Sequence, residues 1–319
     1  MPTLYTIPYS HYCDAARWVL ELRDIPFTEA GYLPGFHMMT SPVARLRGRR
    51  LGTSRPSSTP LLYDAEAGNI GTDSWECIDS TNERLLTKFG GRNPSTRVDL
   101  RTPIPKEIQA LLDTKVGPQT RCLAYSHVLQ EGKGEAAFSA WLQAANHTGW
   151  YQRYALSFNV FRTKLSHGMY NSMVKNPEFA MKQREVLHKA VSRLDKMLES
   201  KEGSKVFFTS DAEGGGRRPT LAAIALAALM YPVTCPPEIN QVIYGKTIIP
   251  FKSLPKGYQQ EIAHWRSTRC GKLSLDLYKK YRLSTPLRMG DSSGNGAVQR
   301  VKAPSQQPLV SGCLKDCSK

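Results

Sequence analysis

"TLYTIPYSHYCDAARWVLELRD", Thr3 to Asp24, is the stretch whose reading decides the fold. "TLYTIP" is a short apolar-rich run and reads as a strand. "CDAARWVLELRD" reads as a helix, because Ala16, Val19, Leu20 and Arg23 recur at helical spacing with apolar positions on one side. Ser10 stands at the junction, and Cys13 falls in the first helical turn. A strand that feeds a helix collects backbone N–H groups and the positive end of the helix dipole at that junction, where an anion is stabilised. A serine hydroxyl there can donate to a bound thiolate and lower its pKa. A cysteine at a helix start can itself be acidified. The plainer alternative is that Ser10 caps the helix and Cys13 packs as a small apolar residue.

The pattern continues outward as a small α/β domain over residues 1–86. "IPFTEAGYL" reads as a second strand, "PLLYD" as a third, and "NIG" as a fourth after the turn "DAEAG". "DSWECIDSTNERLL" reads as a second helix with Asp73 or Ser74 suited to cap it. In "STPLLY", Pro60 opens a strand at one of the few places a sheet tolerates proline. If Thr59–Pro60 is cis, the backbone before it can present its N–H and C=O to an extended ligand. In "TDSWECI", Asp73 can pair with an ammonium, and Ser74 at the helix start can help hold a carboxylate. Each element alone is an ordinary cap or turn. Together they offer places for a zwitterionic head, an extended peptide backbone and a thiol.

The composition of the rest sets bounds. The chain has 319 residues, a formal net charge of +16 and 40% hydrophobic residues, so most of it is expected to be globular with affinity for anionic partners. Nucleic acid, anionic lipid and small acidic ligands all remain open at this point. The seven cysteines are odd in number and scattered, which favours a reducing compartment over a disulfide framework. His127, His147, His167, His188 and His264 show no mutual metal spacing, so no metal is expected. "MPTLYTIPYS" lacks a signal-peptide pattern, and "LAAIALAALM" is too short to span a bilayer. A soluble cytoplasmic protein without a membrane span is the expectation.

Residues 87–104, rich in Gly, Pro and polar side chains, read as a linker. Residues 105–283 read as an all-helical domain without convincing strand alternation, with "LAAIALAALM" as its central buried helix. Residues 284–319 are Ser-, Gly-, Pro- and Lys-rich and read as a disordered tail. The stretch "ARLRGRRLGTSRPSST" carries five arginines, Arg45 to Arg55, with no acid among them, and reads as a loop after a short helix.

"LYTIPYSHYCDAARWVLELRDIPFTE", "STPLLY" and "TDSWECI" together resemble the thioredoxin-like N-terminal domain of cytosolic glutathione transferases. "LPGFHMMTSPVARLRGRR" and "VGPQTRCLAYSHVLQ" extend the resemblance to a little-described group of such proteins, and it runs to about Arg282. The resemblance implies a thioredoxin-like α/β N-terminal domain, an all-α C-terminal domain, glutathione as co-substrate and a homodimer. It matches Ser10 to the serine that activates glutathione, with Cys13 as the weaker alternative for the catalytic role. It matches Thr59 to the residue whose backbone pairs with the glutathione cysteine, Pro60 to the cis-proline, and Asp73 and Ser74 to the pair that holds the γ-glutamyl end. The implied activity is conjugation of glutathione to a small electrophile lodged against the helical domain. The alternative is a non-catalytic module on the same fold, binding an acidic protein or RNA through its positive charge. A third reading, thiol–disulfide exchange, suffers from serine at the leading position of the C-x-x-C motif.

The chain departs from the family in two places. The capping box of the buried helix keeps Thr220 but has Ala223 at the partner position. The arginine loop replaces the usual connection; the resemblance implies that this region can bind the glycine carboxylate of glutathione, with an arginine of the loop or His37 as candidates and none assigned. Tyr5 and Tyr9 fall out of register for a phenol-type activator and read as packing or rim residues, and Trp18 reads as core.

Overall fold

A computed structural model describes residues 2–23, 25–39, 59–64, 68–71, 73–79, 98–129, 148–210, 216–239, 251–282 and 297–300. The opening stretch forms strand β1 (Thr3–Thr6) and helix α1 (His11–Leu22), followed by β2 (Phe27–Gly31). β1 and β2 are parallel, with Tyr5 opposite Ala30, so α1 is their crossover. After the short helix α2 (Phe36–Met39) come β3 (Leu61–Asp64), β4 (Gly68–Gly71) and α3 (Ser74–Ile78). β3 runs antiparallel to β1, with Tyr5 opposite Leu61, and antiparallel to β4, with Leu62 opposite Gly71. The sheet has the order β4-β3-β1-β2, with a fifth strand from residues 297–300 beyond β2. The order of the first four is the thioredoxin-like arrangement that the resemblance implies.

Within the expected tail the described residues form one strand, β7 (Ala297–Arg300). It pairs antiparallel with β2, Glu29 opposite Val298, and covers what is otherwise a sheet edge. The other residues of 284–319 lie outside the described residues.

The chain from residue 106 is mainly helical: α4 (Lys106–Lys115), α5 (Gly117–Val128), α6 (Trp150–Ser157), α7 (Asn159–Met173), α8 (Pro177–Glu199), α9 (Lys201–Ser204), α10 (Leu221–Thr234), α11 (Lys256–Ser267) and α12 (Arg269–Tyr281). It is not purely helical. A hairpin of β5 (Phe208–Ser210) and β6 (Arg217–Pro219) precedes α10, and strands of three residues are too short to show alternation in sequence. No helix among the described residues is long and apolar enough to cross a membrane.

α10 is the centre of the helical core: Leu221, Ile224, Leu226, Leu229 and Val233 are all buried. Each such burial contributes about 1.5–3 kcal/mol. Thr220 stands at its N-cap but makes no cap bond; its hydroxyl donates instead to the Val206 carbonyl at 2.7 Å. The end of the expected linker is tied here as well. The Asp99 N–H donates to the Pro219 carbonyl at 2.8 Å, and the Asp99 carboxylate accepts from the backbone of Arg101 and Thr102.

α1 is buried on both sides. Ala16 and Leu20 pack with Leu4, Phe27 and Leu62 of the sheet, while Ala15, Trp18, Val19 and Leu22 join the helical core. A helix so enclosed must neutralise any charge it carries. Arg17, fully buried, reaches Asp14 at 2.9 Å on its own helix and Glu29 at 2.5 Å on β2. Glu29 also accepts from the Thr6 hydroxyl at 2.8 Å. From the far end of the chain, Arg282 meets Asp14 at 2.9 Å and pairs with Glu21, and the Tyr278 hydroxyl donates to Asp14 at 2.6 Å. Trp18 donates to the Tyr281 carbonyl at 3.2 Å.

Burial alone pushes the Asp14 carboxyl up, but the charges of Arg282 and Arg17 and the Tyr278 hydroxyl outweigh it and hold Asp14 below the usual carboxylate value. A depressed carboxylate contributes its stability above the unfolded pKa of about 3.9 and loses it as pH falls through the lower folded value. Asp14→Asn, which breaks a buried charge network, is expected to cost about 3–5 kcal/mol at neutral pH in urea unfolding. The gap between variant and parent should narrow below about pH 4, as the parent protonates. An Asp14→Asn protein as stable as its parent at neutral pH would remove the network from the account.

Candidate functional site

Strand register brings three separate segments to one end of the sheet. β1 ends at Thr6 beside the start of β3 at Leu61, and β4 ends at Gly71 opposite Leu62. The turn leading to Ser10, the Thr59–Pro60 pair that opens β3, and the Asp73–Ser74 pair that opens α3 therefore share that end.

Ser10 closes the turn after β1: its N–H donates to the Ile7 carbonyl at 2.9 Å, and its own carbonyl accepts the Asp14 N–H at 2.8 Å. It occupies the N-cap of α1 with extended backbone, yet its side chain makes no cap hydrogen bond. The expected capping role is therefore not the one its hydroxyl performs. The hydroxyl is half-buried and lies against the Cys13 sulfur, as does the hydroxyl of Thr59.

Cys13 is fully enclosed. Burial pushes its thiol up, and the Ile7 N–H at 3.4 Å, the Arg17 charge and the Thr59 and Ser10 hydroxyls only partly offset this. A thiol raised above 9.0 is protonated at neutral pH and is a poor nucleophile. Cys77, also buried, is raised for the same first reason, with Asp73, Glu76 and Cys13 adding to it.

The Thr59–Pro60 peptide is cis. Thr59 is half-buried and Pro60 buried. Of the two proposed caps of α3, Asp73 is the one that acts: it accepts the Glu76 N–H at 2.9 Å. Burial raises the Asp73 carboxyl and the neighbouring Glu76 charge adds to this, against the Glu76 and Trp75 N–H groups that favour the anion. An ammonium group beside it would relieve that penalty. Ser74 is buried next to it. His37 lies on α2. The arginine run of residues 45–55 lies outside the described residues.

Two neighbours of Ser10 escaped the sequence reading. His11 is buried, and its Nε2–H donates to the Gly117 carbonyl at 3.0 Å, tying α1 to the N-terminus of α5. Tyr12 presses on the same point; a Cβ on Gly117 would lie 2.2 Å from the Tyr12 hydroxyl, so only glycine allows this approach. Tyr9, with Tyr125 and Tyr170, packs against Leu129 and Met169. Tyr9 is also fixed through its carbonyl, which accepts from the Tyr231 hydroxyl. Its role as a packing residue agrees with its place out of register. Among the described residues, no three His, Cys, Asp or Glu side chains gather as metal ligands.

The imidazole of His11 is lowered to about 3, first by burial and then by the Arg121 charge, against the Gly117 bond and Asp14. It is neutral wherever the protein is folded near neutral pH. The unfolded chain binds a proton at this residue below about 6.5 and the folded chain does not, so stability falls as pH drops from 6.5 toward 3. The slope from this one group is at most about 1.4 kcal/mol per pH unit. His11→Asn is expected to flatten the urea-midpoint profile across that window. An unchanged profile would show that His11 titrates alike in both states.

No protein-family model matches the chain, and no curated protein matches it in sequence. Solved structures do resemble it. A glutathione S-transferase of Ceriporiopsis subvermispora in complex with glutathione shares 18% identity at a TM-score of 0.44, covering 91% of this chain and 99% of that one. A glutathione S-transferase from Methylobacillus flagellatus KT with glutathione bound shares 14% identity at 0.36, covering 86% and 98%. One from Rhodospirillum rubrum F11 shares 13% at 0.36, covering 90% and 97%. The fold is read from the strand order of this chain, and its function from its own residues.

Proposed function

We propose that this protein binds glutathione at the end of its sheet and conjugates the tripeptide's sulfur to a small electrophile. The observation that carries the reading is the convergence of three segments, with the Ser10 hydroxyl left over from helix capping. The chain's own groups divide the work. The Asp73 carboxylate pairs with the γ-glutamyl ammonium, and the Ser74 hydroxyl donates to the γ-glutamyl carboxylate. The backbone of Thr59, ahead of the cis-proline, pairs with the cysteinyl residue as an added strand does.

Ser10 is the activating residue. Its hydroxyl rests on the Cys13 sulfur, a weak acceptor that a charged thiolate displaces readily. Donation to the thiolate favours the charged form, and the N-terminus of α1, a helix of 12 residues, adds its dipole. Glutathione supplies the nucleophile. Its thiol proton passes to solvent, a carbon–sulfur bond forms on the electrophile, and the leaving group departs with its electron pair. Cys13 takes no part in bond making, because its own thiol stays protonated in its buried place.

Loss of a hydrogen bond to a charged group costs about 1.5–3 kcal/mol. Ser10→Ala is therefore expected to raise the pKa of bound glutathione by about one to two units and to slow conjugation about ten- to hundredfold. Thiolate absorbance across pH and turnover of a model electrophile read the two effects. Cys13→Ala is expected to keep the parent rate. A Ser10→Ala protein as fast as its parent would overturn Ser10 as activator, and loss of activity in Cys13→Ala alone would move the role to the thiol.

A further inference from the structure

On the helical side, Arg121 is a cation without an ion-pair partner among the described residues. Gly117, Arg121 and Tyr125 stand at i, i+4 and i+8 on α5 and share one face. Gly117 meets His11 and Tyr12 of α1. Tyr125 and Tyr9 pack against the same pair, Leu129 and Met169. Arg121 thus lies between one turn of α5 that meets α1 and another that enters the cluster to which Tyr9 belongs. Its charge acts on His11 and on Tyr125.

Among the described residues no carboxylate forms an ion pair with Arg121, and its Nε is buried without a hydrogen-bond partner. The nearby acid, Asp14, is already held by Arg17, Arg282 and Tyr278. A guanidinium with an enclosed, unsatisfied donor is costly unless something anionic fills the place. Tyr125, one turn on from Arg121, belongs to an apolar and aromatic cluster with Tyr9, Leu165, Met169 and Tyr170. Arginine presents a planar fork that matches a carboxylate.

We propose that Arg121 selects the second substrate: an aromatic electrophile bearing a carboxylate, its ring against the Tyr9–Tyr125–Tyr170 cluster and its anion on the guanidinium. The proposal rests on the conjugation reading and names its substrate class. The neutral His11 imidazole beside the guanidinium leaves the ligand's carboxylate as the group that balances its charge.

Two probes that differ only at the anion test this: para-chloro-dinitrobenzoate and its carboxamide. In each, the glutathione sulfur bonds to the ring carbon that carries chlorine, chloride leaves with the electron pair of the broken bond, and the thiol proton goes to solvent. Rates are divided by the uncatalysed rate with glutathione, which removes the electronic difference between the probes. The parent is expected to prefer the acid over the amide. Arg121→Gln should cut that preference about ten- to hundredfold, chiefly through KM, and Arg121→Lys should restore part of it. A parent without the preference, or an Arg121→Gln protein that keeps it, overturns the proposal and leaves conjugation standing. A parent that conjugates neither probe overturns the conjugation reading. The anion site is then decided by calorimetric titration with dinitrobenzoate: weaker binding to folded Arg121→Gln than to the parent upholds it, and equal binding overturns it.

Discussion

One carboxylate, Asp14, shared by two buried arginines, is the interaction on which the rest of the structure depends. Arg17 belongs to the same helix, and Arg282 arrives from the end of α12. Neither guanidinium can be buried alone, because the desolvation of an unpaired ion exceeds what any single contact returns. The chain therefore brings Glu29 from β2, Glu21 from the last turn of α1 and the Tyr278 hydroxyl to the same place. The network links a strand, the crossover helix and the final helix. It fixes the start of α1, and with it Ser10, against both halves of the protein.

The same enclosure decides the chemistry at the head of α1. A thiol in the first turn of a helix would be acidified if it faced water. Here α1 lies between the sheet and α10, so Cys13 loses more from burial than the helix start and Arg17 return. What remains at the mouth is a hydroxyl, which carries no charge and suffers no such penalty. Burial of the helix thus keeps Cys13 a protonated, packed thiol and leaves the Ser10 hydroxyl as the uncharged polar group at the head of α1.

Much of this was legible in the sequence because it follows from periodicity and local rules. The alternation of β1, α1 and β2, the apolar run of α10 and the three segments of the site are each written in a few adjacent residues. What was not legible depends on distant partners. Asp14, Arg17 and Glu29 carry no local mark of burial in the sequence, and nothing local says that Arg282 will come to meet them. The β5–β6 hairpin and β7 are too short, or too deep in a Ser- and Gly-rich stretch, to announce themselves. Ser10 read most simply as a cap, and only the geometry shows that its hydroxyl makes no cap bond.

The two sides of α1 treat their polar groups differently. On the sheet side they are satisfied: Asp73 is engaged by a backbone N–H, and Thr59 and Ser10 rest on a sulfur. On the helical side the Nε of Arg121 is buried without a hydrogen-bond partner. Gly117 is one of the points where α1 meets the helices: its missing side chain leaves room for the Tyr12 ring, and its carbonyl accepts from His11. A side chain at 117 would meet the Tyr12 ring and force it aside, loosening one of the contacts that hold the start of α1 against α5.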